Sequence, residues 1–318
     1  MLTLQNEFVS SKRANAYLAL FLTSIFWGVA GPIIKFTLEG IDPFPFLAYR
    51  FTISAVIGIL FFVVTKTKIK NPSKTIPLAA LQGTLAFTIA LGLLFTGLKN
   101  STVLELSLIG TISPLLVMLG GAFFFRDHIT KREKIGASIA FTGTLITVFS
   151  PILRNNEIAF SGNILLIIFL FADVGALLWG KQIMKKGMKP EVLSNIGLIT
   201  AGLTMLTIAV YTQGAGFIEI ILNLPLKYHL GVWYMAVVSG SIAYYLSVRA
   251  EKSIEISEAG LFWYLHPIFS VPLAIFWLGE SITAYYIIGA ILITIGVVIA
   301  EIKRRRTSKK SNPLAKYH

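Results

Sequence analysis

The sequence predicts an all-α integral membrane protein with ten transmembrane helices, arranged as two inverted five-helix repeats. Three observations predict it. The 318 residues are 55% hydrophobic and only 14% charged, against about 25% charged in soluble domains. Ten apolar segments follow one another along the chain, each near the ~20 residues that cross a hydrocarbon core of ~30 Å. Residues 98–148 also recur without a gap at 251–301. A shift of 153 puts Glu105 on Glu258, Pro114 on Pro267, Asp127 on Glu280, Thr130 on Thr283, Gly136 on Gly289 and Gly143 on Gly296.

In order, the spans read as 15–36, 43–65, 75–97, 102–125, 133–153, 160–184, 190–212, 229–249, 256–278 and 281–302. The first is long enough to cross and lacks the small-residue pattern of a cleavable signal peptide. Basic residues mark alternate connections. Lys12 and Arg13 precede the first span, and Lys66, Lys68, Lys70 and Lys74 follow the second. Arg126, Lys131, Arg132 and Lys134 lie at the connection after the fourth, Lys181, Lys185, Lys186 and Lys189 at the end of the sixth and beyond it, and Arg249 and Lys252 at the end of the eighth and beyond it. The tail adds Lys303, Arg304, Arg305, Arg306, Lys309, Lys310 and Lys316, whereas the opposite connections carry only Lys99, Arg154 and Lys227. This asymmetry predicts a multi-pass protein of the cell membrane with both termini in the cytoplasm.

An even number of spans split into two five-helix halves requires the halves to be inverted. The division expected is 1–153, 160–302 and a basic cytoplasmic tail, 303–318. The first helices of the halves share only Trp27-Gly28 with Trp179-Gly180, at an offset of 152, and spans two and three show no match to seven and eight. The net charge of +13 is dispersed between spans rather than gathered on one face, so it argues for topology and not for nucleic acid. With no cysteine, disulfide and thiolate chemistry are excluded.

A fixed-period repeat of membrane helices is the signature of an internally symmetric transporter. Two inverted halves exchange conformations and open a midplane site to one side and then the other. The expected function is therefore secondary-active movement of a small molecule, without a cofactor. The alternatives are a membrane-embedded enzyme and a passive channel. An enzyme needs a local cluster such as His-Glu-x-x-His, and ATP-driven transport needs a P-loop; neither is present. A channel does not need inverted halves.

Ionisable groups within spans are costly and so point to function. Asp173, central in span six, suits a substrate amine or a coupling proton; its bland reading is a carboxylate fixed by an interhelical bond. His266, before Pro267, suits a ligand or proton relay, or else a kink residue bonded across the bundle. Its repeat partner is Ser113. Trp27, Gln82, Trp179, Trp263 and Tyr264 suit a cavity wall, although span aromatics commonly serve as packing groups or lipid-belt anchors. Glu105 and Glu258 are candidate gates at opposite faces. Against this, Thr102-x-x-Glu105 is a capping-box pattern. Arg50 is a third gate candidate that also suits a carboxylate, a lipid phosphate or an anionic substrate, alone or with Lys35. For Lys35 alone, snorkelling to the lipid interface is the expectation. The small faces Gly136-Ala140-Thr144 and Gly289-Gly296 suit scaffold packing or homodimer association.

Trp27-Gly28, Pro114, His266-Pro267, Gly279-Glu280-Ser281, Gly289 and Gly296 together resemble the EamA-type branch of the drug/metabolite transporter superfamily. The resemblance covers residues 15–302 and both halves, with Arg126-Asp127 departing from the more typical Gly279-Glu280. It implies a ten-helix inverted-repeat carrier for small metabolites, often an exporter of amino acids or related compounds.

Overall fold

The computed structural model describes residues 2–125, 129–214, 216–251 and 256–301; Asp127 and the basic tail lie outside them. Among the described residues, nine helices are long and apolar enough to cross a membrane, and a tenth apolar helix is shorter. They are α1 (Leu2–Thr37), α2 (Pro43–Thr65), α3 (Pro72–Asn100), α4 (Val103–Phe124) and α5 (Lys131–Arg154) in the first half. The second half contains α6 (Glu157–Lys185), α7 (Pro190–Gln213), α8 (Leu226–Ser247), α9 (half-helices Ile256–Trp263 and His266–Phe276) and α10 (Ala284–Glu301). A short helix, Gly216–Leu222, lies between α7 and α8.

Local chemistry sets several boundaries. Pro43 and Pro190 open α2 and α7, where a missing N–H costs nothing and φ is already helical. Thr102 with Glu105 and Thr130 with Glu133 form complete capping boxes at the starts of α4 and α5. Thr283 Oγ1 accepts the Tyr286 N–H at 3.1 Å at the start of α10. The repeated pair Thr130/Thr283 is therefore a pair of helix caps.

The inverted repeat is visible in the packing. Helices α5 and α10 lie against each other, and a Cβ added to Gly136 would fall 2.5 Å from the Gly296 carbonyl oxygen. One added to Gly143 would fall 2.8 Å from that of Gly289. Since the repeat maps 136 onto 289 and 143 onto 296, these two contacts are the same contact seen from each half. Other pairings obey the same rule: α3 packs on α6 as α8 packs on α1, α4 packs on α6 as α9 packs on α1, and α2 packs on α7. The small faces of α5 and α10 are thus spent inside the chain.

Both halves also depart from regular helix at matching places. Helix α4 breaks at residues 111–112 and α9 at 264–265, positions separated by the repeat offset. Pro114 and Pro267 are the second residues of the half-helices that follow. Each lacks an N–H, and its ring crowds the carbonyl four residues earlier, on Gly110 or Trp263. Helix α3 widens to π geometry over Thr84–Ile89 and α8 over Tyr234–Ala243. These segments correspond too, although the sequence shows no match between the two helices.

Substituting Gly136→Ala forces backbone apart and should cost about 1–3 kcal/mol, read as a lower thermal midpoint of the detergent-solubilised protein. A Cβ at Gly175 meets nothing within 4 Å, so Gly175→Ala should cost nothing. Equal shifts for the two would contradict the α5–α10 packing.

Candidate functional site

A cavity of about 360 Å³ lies between the halves, lined by α1–α4 and α6–α9. Helices α5 and α10 do not reach it and serve as scaffold. All four irregular segments do: Ala86 and Phe87 from α3, Gly110, Thr111 and Ser113 from α4, Met235, Ser239 and Gly240 from α8, and Trp263, His266 and Pro267 from α9. Backbone carbonyls released from a helix have no partner in hydrocarbon, so they are tolerated where they border protein or a water-filled space.

Helix α1 braces the break in α9. Ser24 Oγ lies 2.9 Å from the Phe262 carbonyl oxygen, on the far side of the break. A Cβ at Gly28 would meet Phe269 Cβ at 2.8 Å and the His266 carbonyl oxygen at 3.0 Å. Only glycine permits that approach, which accounts for Trp27-Gly28. Trp27 Nε1 donates to the Ser239 carbonyl at 3.0 Å, and its ring meets His266 edge-on at 6.2 Å between centroids. His266 Nε2 is buried with no hydrogen-bond partner among the described residues. Ser107 and Ser270 pair across the α4–α9 seam at 2.8 Å.

Gln82 Nε2 donates to the Ala176 carbonyl at 3.2 Å, tying α3 to α6 beside the cavity. Arg50 is 5% exposed, with Phe51 and Phe95 rings 5.0 and 5.7 Å from its guanidinium carbon. Asp173 lines the cavity and takes neither a hydrogen bond nor an ion pair from a described residue. Among the described lining residues, Arg50 and Asp173 are the two Lys, Arg, Asp or Glu side chains.

Of the residues singled out from sequence, Trp27, Arg50, Gln82, Ser113, Asp173, Trp263 and His266 meet at this one cavity. Trp179 instead packs in a lateral cluster with Ala79, Ile183 and Val192, and Tyr264 sits in the α9 break but outside the lining. The side chain of Glu258 lies outside the described residues. Glu105 completes its capping box and pairs with Arg154 at 3.2 Å, at the end of α4 rather than in the cavity. Lys35 does not snorkel to lipid: its Nζ donates to the carbonyls of Leu98, Lys99 and Ser101 at 2.6–2.9 Å, satisfying the C-terminus of α3. Ser107, Ser239 and Phe87 were not singled out, because a serine or phenylalanine in an apolar span carries no signal of which face it occupies.

A further cross-half contact lies near Lys35. Glu280, in the α9–α10 turn, accepts the N–H groups of Val103 and Leu104 at 2.7 and 2.9 Å, capping the start of α4 from the other repeat. Burial pushes its carboxyl up from the ordinary range, while the two N–H donors and Lys35 pull it back. Lys99 and Asp42 form an ion pair at this same end.

The sequence matches the model of the EamA-like transporter family twice, over residues 14–149 and 160–301. The chain belongs to the EamA-like transporter family. It is similar to an uncharacterized transporter, YyaM, of Bacillus subtilis (strain 168), at 25% identity over 91% of this chain and 94% of that one. It is also similar to a probable amino-acid metabolite efflux pump of Salmonella typhimurium, at 26% identity over 94% and 99%. A solved crystal structure matches with a TM-score of 0.60 at 20% identity, covering 92% of this chain and 99% of its own, and speaks for the fold. The protein is a multi-pass membrane transporter of this family.

If this EamA protein's cavity holds water, single cysteines in the cysteine-free chain report it. Ser107→Cys and Ser239→Cys should react with a small water-soluble thiol reagent, while Leu203→Cys, exposed on the outer face of α7, should not. Protection of all three would contradict an aqueous cavity.

Proposed function

We propose that this transporter is a secondary-active carrier that moves a small metabolite, an amino acid or related compound, out of the cell by alternating access. The observation that carries the reading is the pair of broken helices. Helices α4 and α9 are interrupted at equivalent positions, and both interruptions border the cavity between the halves. A helix with a released turn bends there at low cost, so each half has a hinge facing the substrate space. Because the halves are inverted, bending one hinge and straightening the other carries the opening from one end to the other.

The positive-inside asymmetry places the end with Lys35, Glu105 and Glu280 outside, with both termini in the cytoplasm of a cell-membrane protein. At that end Glu280 from the second half holds the start of α4 in the first half. Such a contact must open for release, and its geometry suits an outer gate better than the intra-half pair of Glu105 with Arg154. The Salmonella relative named for amino-acid metabolite efflux supports the export direction and the substrate range. The cavity's size and its mix of ring faces, hydroxyls and two charges suit small polar organics.

Asp173 is assigned the coupling role, since an unpaired carboxylate lining the pathway accepts and releases a proton during the cycle. The test is uptake of radiolabelled amino acids into proteoliposomes with and without an imposed pH gradient. Gradient-driven uptake should fall about tenfold or more in Asp173→Asn, while exchange without a gradient persists. Uptake indifferent to both the gradient and Asp173→Asn would overturn the coupling. Separately, Glu280→Ala removes the acceptor of two N–H bonds and should raise labelling of a Val103→Cys reporter from the outside. Glu280→Gln, which keeps an acceptor oxygen, should raise it less.

A further inference from the structure

Arg50 carries a positive charge that the described protein leaves unanswered. Its Nε and Nη1 are buried without a hydrogen-bond partner among the described residues, and no described carboxylate lies within ion-pair distance. Deprotonation does not relieve the cost, because a guanidinium stays charged in proteins. The usual solution, a buried partner carboxylate, is absent although Asp173 lines the same cavity.

The surroundings orient the group rather than neutralise it. Phe51 and Phe95 lie against the guanidinium, 5.0 and 5.7 Å from its central carbon, which supports the charge weakly. Space beside it comes from Gly240, in the π-helical turn of α8: a Cβ there would sit 3.5 Å from Nη2 and 2.8 Å from the Met235 carbonyl oxygen. The widened turn of the second half thus makes room for a cation supplied by the first. Among the described residues that line the cavity, Arg50 is the one lysine or arginine. A doubly charged phosphate calls for more than one such group, whereas a planar monocarboxylate matches a single guanidinium edge through two parallel N–H···O bonds.

We propose that Arg50 is the substrate-anchoring residue of the cavity and that the transported compound bears a monocarboxylate, which docks on its guanidinium. The inference deepens the carrier reading and rests on it for its biological sense. It also assigns the transported end of the molecule. Substrate then supplies the counter-charge, so the empty cavity holds a buried cation whose cost is relieved on loading. The carboxylate's own desolvation is compensated at the same time.

The test reads binding directly on the full-length protein in detergent. Thermal midpoints are followed against acetate, butanoate, benzoate and L-leucine, and against acetamide, butanamide, benzamide and L-leucinamide, at ionic strength fixed with sodium chloride. Carboxylates should raise the wild-type midpoint saturably, with half-saturation about tenfold or more below that of the matched amides. Arg50→Met, which replaces the buried charge with an apolar chain, should fold and lose the distinction between acid and amide. Arg50→Lys, which keeps the charge but not the planar fork, should retain part of it. The proposal is overturned if no carboxylate stabilises the wild type beyond its amide, or if Arg50→Met responds as the wild type does. Proteoliposome uptake is scored separately. Vesicles that transport nothing, beside a positive binding result, count against the carrier reading and leave the anion site standing. Transport that ignores the carboxylate counts against the anion site alone.

Discussion

Hydrocarbon offers no hydrogen-bond partner, and that constraint organises the whole molecule. A chain built of apolar helices satisfies its backbone within each helix, and every departure must be hidden or hydrated. Here the breaks in α4 and α9 and the π turns in α3 and α8 all border the central cavity. The breaks in α4 and α9 fall where Pro114 and Pro267 remove an N–H, and Gly28 admits α1 close to the second of them.

Two layers follow. The α5–α10 pair, held by glycines at near van der Waals limits, does not touch the cavity and fixes the two halves against each other. The inner helices carry the polar groups, and single hydrogen bonds cross the halves at many points, among them Ser107 with Ser270, Trp27 with the Ser239 carbonyl, Gln82 with the Ala176 carbonyl and Glu280 with the start of α4. The proposed alternating access requires two arrangements of similar energy, so that a ligand of ordinary affinity shifts their populations.

Much of the fold was legible in the sequence because membrane helices write their length and number in composition. The repeat at offset 153 read correctly where residue identity is dictated by backbone, at the prolines, the glycines and the Thr130/Thr283 caps. It was silent for α3 and α8, whose π turns correspond although their residues do not. Trp179 looked like the mate of Trp27, yet only Trp27 reaches the cavity, because side chains in the two copies were free to diverge once the backbone was shared. From sequence, Arg50 read as a gate, ion-pair or anion-binding residue, and Lys35 as a lysine that snorkels to the interface. The structure separates them by what surrounds each: Lys35 meets three carbonyls at a helix end, and Arg50 meets ring faces and lines the cavity.

The central claim is that inverted halves exchange roles about a common cavity. Spin labels placed by cysteine substitution in the cysteine-free chain test it most directly, through paired distance measurements in lipid. One pair, Glu39 with Ser281, spans the halves at the end held by Glu280. The other, Lys70 with Lys186, spans them at the opposite end. Loading with a transported compound or changing the proton gradient should lengthen one distance as it shortens the other. Distances that stay fixed, or that lengthen and shorten together, would contradict the account.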